Sequence, residues 1–255
     1  MSPTKTGARE WAEVSFNLAS SDGRCPHECL YCYAPERLRR FGFTPKQKLL
    51  KHYADLIMFP TRHDVVPENL SESIHVLTEL LKFSNRVIIV TKGAPYCVRA
   101  VCQELMPWMS QILWRVTIGG RNGVCSKWEP RAPAPLQRLE ALIAARAMGY
   151  QTSVSMEPIL EPSVRRTIDL CEELLPRVTE TIWLGLMNRA AARVRMNGGT
   201  PEQIRMAKSL TDYWSMAGCS HVHDLFDGLR DEPKVRWKDS IQKVLSIDSQ
   251  GRPTA

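Results

Sequence analysis

Three thiols stand close together near the start of the chain, in Cys25-Pro26-His27-Glu28-Cys29-Leu30-Tyr31-Cys32-Tyr33, straight after a strand-like run at 14–18. Cysteines at such spacing suit an iron–sulfur cluster, which thiolates hold, normally four of them. Here the next cysteine is Cys97. Three ligands on a four-iron cubane leave one iron open to a small molecule, which is the design of a reactive cluster rather than an electron store. A zinc knuckle is the competing reading, and it needs four ligands at fairly regular spacings. His27 lies inside the first cysteine pair, a poor place to close a tetrahedron, and no distal CxxC or HxxxH pair follows. Three chance core cysteines in so polar a loop make the third and plainest reading.

Those cysteines must be held by something, and the chain alternates strand and helix signals throughout. Short apolar runs at 54–59, 86–92, 113–118, 151–156 and 181–186 join the first at 14–18 to give six strand signals. Helical spacing appears at 67–83, 96–109, 136–148 and 163–175, and a basic, partly helical stretch at 35–53 is broken at Gly42 and Pro45. The last long helix opens at Thr200-Pro201-Glu202-Gln203, which reads as a capping box with proline at the first helical position. The Pro-rich segment 124–135 reads as loop, and the tail 221–247 as loop plus an amphipathic helix around 235–245. Six strands each followed by a helix predict a parallel sheet built from βαβ crossovers. The expectation is an α/β fold, a partial (β/α)6 TIM-type barrel in a single domain: an N-terminal arm 1–13, the barrel 14–220, and a short C-terminal helical tail 221–255 packing on it.

In such sheets ligands gather at the carboxyl ends of the strands. Strand two leads to Thr61, Arg62, His63 and Asp64; strand three to Thr91 and Lys92; strand four carries Thr117, then Gly119, Gly120 and Arg121. Strand five ends in Glu157, and strand six in Met187, Asn188 and Arg189. A cation for a ligand carboxylate (Lys92), hydroxyls for ribose and amine (Thr61, Thr117) and a carboxylate (Glu157) form a fitting set for a charged, ribose-bearing cofactor. Polar strand ends facing water are the alternative for each residue taken singly.

Composition bounds the function. The chain has 255 residues, with 34 Lys and Arg against 27 Asp and Glu, a net charge of +7 that favours an anionic partner or substrate. The eight cysteines, without a signal-peptide core in the first residues, suit reduced thiols in a cytoplasm rather than a disulfide framework. No apolar stretch reaches membrane-spanning length, so no membrane partner is expected.

The cysteine loop, the strand-two tip, and then VIIVTKG, RVTIGG, EPRAPAPLQRLEAL, MEP and VRWKDSI follow one another in an order that resembles the spore photoproduct lyase-like branch of the radical S-adenosylmethionine (SAM) superfamily. The resemblance runs from about Val14 to Leu245. It implies a [4Fe–4S] cluster on Cys25, Cys29 and Cys32, with SAM chelating the open iron and being cleaved to methionine and a 5′-deoxyadenosyl radical. It further implies Tyr31 beside the adenine, Tyr33 beside the radical site, and Lys92, Thr117 and Thr61 on SAM. A one-electron reductant of flavodoxin or ferredoxin type and a monomeric enzyme go with it.

One departure bears on the substrate. The lyase keeps a hydrogen-donor cysteine at the strand-two tip, where this chain reads Met58-Phe59-Pro60-Thr61-Arg62. Tyr33 or the regenerated 5′-deoxyadenosine is therefore expected to return the hydrogen, and Cys97 and Cys125, after strands three and four, are the candidate replacement donors. The same two could instead join Cys102 and Cys219 in an auxiliary cluster, while Cys171 reads as core. A nucleobase, nucleotide or nucleic acid is the expected substrate, for base modification, isomerisation or lyase chemistry, with Arg62, Arg121 and Arg189 at the mouth. A small metabolite or peptide substrate, and a non-catalytic Fe–S or zinc module, are the readings left beside it.

Overall fold

The computed structural model describes residues 7–21, 25–42, 48–215 and 220–254. In chain order it runs β1 (Val14–Ser15), α1 (Ala34–Phe41), β2 (Ile57–Phe59), α2 (Leu70–Lys82), β3 (Val87–Thr91), α3 (Pro95–Glu104), β4 (Ile112–Thr117), α4 (Asn122–Trp128), α5 (Pro135–Ala147), β5 (Gln151–Met156) and α6 (Val164–Leu174). It continues with β6 (Ile182–Leu184), α7 (Ala190–Met196), α8 (Pro201–Ser215), α9 (His221–Leu229), β7 (Val235–Trp237) and α10 (Asp239–Leu245). The strands lie in the order β1-β2-β3-β4-β5-β6-β7, every pair parallel. This is the α/β partial TIM-type barrel that the alternation predicted.

It has seven strands, not six. Val235–Trp237, expected to start a helix, pairs with β6 through Ile182↔Val235 and Leu184↔Trp237, and the helix begins only at Asp239. A three-residue strand is too short to display a period of two, so its apolar ends read as helical spacing. A second correction concerns 124–135: Asn122–Trp128 is a helix, and the prolines that suggested loop all lie beyond it. The predicted capping box at Thr200 forms, with Gln203 N donating to Thr200 Oγ1 and Thr200 N to Gln203 Oε1. Pro45 and Cys219 lie outside the described residues.

Strand parity sorts the side chains into two layers. Ile57, Phe59, Val87, Ile89, Ile112 and Trp114 pack outward against α2, α3 and α5. Val116, Val154, Met156, Ile182, Leu184, Val235 and Trp237 do the same against the later helices. The alternate residues face the barrel interior. On the β2–β3 side they are apolar, with Met58 and Ile88 packed on Ala12 and Trp11. On the β4–β5 side, beyond Leu113 and Gln151 at the strand starts, they are Arg115, Thr117, Ser153 and Ser155, all buried. One half of the barrel interior is therefore greasy and the other polar.

Candidate functional site

The carboxyl ends of the strands surround a cavity of about 930 Å³. Nine of the residues singled out in the sequence line it together: Cys25, Cys29, Cys32, Tyr31, Tyr33, Thr61, Lys92, Thr117 and Glu157. Cys97 and Cys125 do not. Cys97 is fully buried on the face of α3 that meets the sheet, and Cys125 is buried in α4 with its thiol donating to the Gly120 carbonyl at 3.2 Å. Both follow the right strands but point into the helix–sheet layer. Cys102 and Cys171 are likewise core. Of the three arginines expected at the mouth, Arg62 lines the cavity, while Arg121 pairs with Glu173 at 2.9 Å and Arg189 with Glu36 at 3.0 Å outside it.

The cysteine loop is held by its backbone. Cys32 N donates to Cys29 O at 3.0 Å, and Glu28 takes the left-handed conformation at φ 48° to make the turn. The peptide around Leu30 is gripped from two sides. Its N–H donates to the Trp128 carbonyl at 2.8 Å, and its C=O accepts from Asn197 Nδ2 at 2.9 Å. The same amide reaches the Cys32 carbonyl at 2.9 Å. Burial pushes the Cys25 and Cys29 thiols up to about 12, so a cluster would have to displace their protons. Among the described residues no three His, Cys, Asp or Glu side chains converge enough to hold a single metal ion.

Behind the loop lies a buried ionic network that sequence reasoning missed. The Tyr31 hydroxyl donates to Glu129 Oε1, and Arg138 Nη2 donates to Glu129 Oε2. Lys92 Nζ lies 3.9 Å from Glu129 Oε1 and 5.6 Å over the Tyr31 ring. Burial works against all three charges. It is outweighed at Glu129 by Lys92 and Arg138, which hold its carboxyl below the usual range, and at Lys92 by the neighbouring Cys29 and Glu129, which raise the ammonium. Glu129 and Arg138 both sit in the stretch EPRAPAPLQRLEAL, whose Glu and Arg, being charged residues in a Pro-rich segment, were the available signal.

Two smaller junctions tie the loop to the strand tips. His27 Nε2 lies 3.1 Å from Asp64 Oδ2, and the same carboxylate accepts from Lys92 N at 2.8 Å, Val65 N at 2.7 Å and the Thr91 hydroxyl. Burial would raise Asp64, but these donors hold its carboxyl below the usual range. Leu18 N donates to His63 Nε2 at 3.0 Å, so the His63 proton sits on Nδ1, facing the Asp64 carbonyl at 3.1 Å. Thr61 is set by Asn17, whose amide donates to Thr61 Oγ1 at 2.8 Å and accepts from Thr61 N at 2.9 Å. The Tyr33 hydroxyl donates to the Thr61 carbonyl. Gly119 lets the β4 tip pass the β5 tip, because a Cβ there would lie 2.2 Å from the Pro158 carbonyl oxygen.

The opposite wall carries a second cluster. Lys238, fully buried, lies 2.5 Å from Glu10 and 3.6 Å from Glu157, with its ammonium 4.4 Å from the Trp11 ring centroid. The Arg115 guanidinium lies over the rings of Trp11 and Trp183, at 4.6 and 5.4 Å from their centroids, and donates to Ser153 Oγ at 3.0 Å. Burial raises Glu10 and Glu157 and pulls Arg115 down to about 9. Glu10 also accepts from Asp239 N at 3.1 Å and Gln242 Nε2 at 3.0 Å, so the segment before β1 is fastened to α10.

No family model matches the chain. It is 26% identical over 176 residues to an uncharacterized protein of Acidianus two-tailed virus, covering 59% of this chain and 58% of the viral protein. A cysteine-to-serine mutant of spore photoproduct lyase superposes with a TM-score of 0.52 at 18% identity, covering 77% of this chain and 64% of the lyase. Streptococcus suis SuiB bound to S-adenosylmethionine gives a TM-score of 0.48 at 9% identity, over 78% of this chain and 47% of SuiB. The chain spans less than two thirds of the length of each. The partial barrel of spore photoproduct lyase is the fold of this chain.

Proposed function

We propose that this chain is a radical SAM enzyme acting on a nucleobase-bearing substrate. One juxtaposition carries the reading: three cysteines, a buried lysine and two strand-end threonines face a single cavity at the carboxyl ends of parallel strands. When bound there, a [4Fe–4S] cluster and SAM would supply one-electron reductive cleavage of the sulfonium and hydrogen abstraction from the substrate. Cys25, Cys29 and Cys32 would hold the cluster, and an external reductant of flavodoxin or ferredoxin type would feed it. The Lys92 side chain is 17% exposed, on the cavity wall, and would receive the SAM carboxylate. Tyr31, Thr61, Thr117 and Glu157 line the same space for adenine, ribose and amine.

Of the three residues considered as hydrogen donors, Cys97 and Cys125 are turned away, which leaves Tyr33, whose phenol is oriented by the Thr61 carbonyl. Arg39, Arg62, Arg193 and Asn188 line the mouth, a cationic and amide-bearing rim that suits phosphate and base edges. Basicity of the whole chain supports the same substrate class, and binding to DNA or RNA should weaken as salt rises.

Anaerobic reconstitution with iron and sulfide should load about four irons per chain. Dithionite and SAM should then release 5′-deoxyadenosine, and Cys29→Ala should lose both. A variant that kept a full cluster and cleaved SAM would sink the assignment. Lys92→Met should keep the cluster and weaken SAM binding by about one to two decades; unchanged affinity in a loaded, folded variant would remove Lys92 from the site.

A further inference from the structure

We propose that Arg138 is a positioning residue that keeps the Lys92 ammonium available to an incoming carboxylate by absorbing the charge of Glu129. The inference rests on the reading of the cavity as a SAM site. Arg138 is 1% exposed and Glu129 2%, and neither lines the cavity, so neither can touch a ligand held there. Lys92 does line it. The three groups carry two positive charges and one negative, and the geometry decides which cation the carboxylate satisfies. Arg138 makes direct contact with Glu129 Oε2, whereas Lys92 stands 3.9 Å from the other oxygen, itself occupied by the Tyr31 hydroxyl.

The guanidinium is fixed in that role. Its Nε donates to the Pro133 carbonyl at 2.6 Å and its Nη1 to the Thr117 carbonyl at 3.1 Å, so it cannot swing toward another partner. A planar fork with all three of its nitrogens engaged holds a carboxylate more rigidly than an ammonium does. Of the two cations, the one that Glu129 holds less closely is thus the one that faces the cavity. Without Arg138, Glu129 would have Lys92 as its nearest cation, and an arriving carboxylate would compete with it for the ammonium.

The test measures binding, not turnover, on the full chain loaded with its cluster. Equilibrium dialysis under anaerobic conditions compares SAM with decarboxylated SAM, which lacks only the carboxylate. Arg138→Gln retains a donor toward Glu129 and loses the charge. It should weaken SAM by on the order of tenfold while changing the decarboxylated ligand less than twofold. Equal weakening of both ligands would mean that Arg138 merely supports the wall, and no weakening would mean that it does not act on Lys92; either overturns the proposal. If the single variant fails to hold a cluster, Glu129→Gln combined with Arg138→Gln removes both buried charges. That double variant should load and prefer SAM over the decarboxylated ligand as wild type does, and a tenfold loss of preference in it would overturn the proposal. Wild-type protein that holds a cluster and binds no SAM would instead refute the cofactor reading itself.

Discussion

The cavity has a buried ionic cluster on each wall, and the partners outweigh burial in one while burial prevails in the other. Around Glu129, Arg138 and Lys92 two cations attend one carboxylate, and each of these three groups is pushed toward its charged form, while burial and Glu129 keep the Tyr31 phenol neutral. At Glu10, Glu157, Lys238 and Arg115, two carboxylates share Lys238, and Glu10, Glu157 and Arg115 are all pushed toward neutrality. The difference lies in the charge around each acid: Glu129 stands between two cations, whereas Glu10 and Glu157 share one ammonium and have Asp239 beside them. Glu129 takes a guanidinium and a phenol at contact. Glu157 has an ammonium at 3.6 Å, too far to repay the loss of water. The first wall is built to hold charge, the second to tolerate it.

The most disruptive way to probe this contrast is Glu129→Ala. It leaves Arg138 and Lys92 buried without their anion, and should cost on the order of 3–5 kcal/mol in urea unfolding of the cluster-free protein. A cost below about 1 kcal/mol would mean that water or rearrangement already serves those cations. Its pH behaviour follows from the low-lying carboxyl: the contribution is fully present above the ordinary glutamate value of about 4.3 and is lost only as pH falls through the depressed value. Between pH 5 and 7.5 the cost should therefore stay flat.

Lys238→Met attacks the other wall and should cost less, about 2 kcal/mol at pH 7.5, because Glu10 and Glu157 can take up protons instead. Here the sign reverses. An acid whose folded value is raised loses stability as pH climbs from the ordinary value toward the raised one, so the cost should shrink toward pH 5. Equal pH dependence in the two variants would erase the distinction between the walls. The smallest effect belongs to Asn197→Ala, which removes two hydrogen bonds to the cysteine loop and no charge. About 1 kcal/mol is expected, independent of pH, in urea melts of the loaded protein; a pH-dependent loss would tie the amide to one of the ionic clusters.

How much of this was legible in the sequence depended on whether the signal was local. Cys25, Cys29 and Cys32 could be read because their spacing is itself the motif. Lys92 and Thr117 could be read because each closes an apolar run. Glu129 could not, since its phenol partner is 98 positions away and α4 is too short to announce itself among prolines. The misjudged cysteines teach something narrower. Position after a strand puts a residue near the mouth, but only helical phase says which way it points. Cys97, Val98, Val101 and Cys102 are all buried on α3, a phase that the sequence contained and that points Cys97 inward to the sheet. Val235–Trp237 escaped because three residues carry no period.

The fastening of the Glu10 segment to α10 has a consequence in time. Glu10 and the Asp239 amide that it accepts from are 229 positions apart. A ribosome working at ~5–20 residues per second takes roughly 10–50 s to cover that distance. Throughout that interval the nascent chain has its cysteine loop but no barrel floor, and Asn197, 167 positions beyond Leu30, is also late to arrive. Both clamps on the site thus become available long after the residues that they hold. The thiols emerge well before either clamp, so keeping them reduced in that interval is a task for the surroundings of the nascent chain.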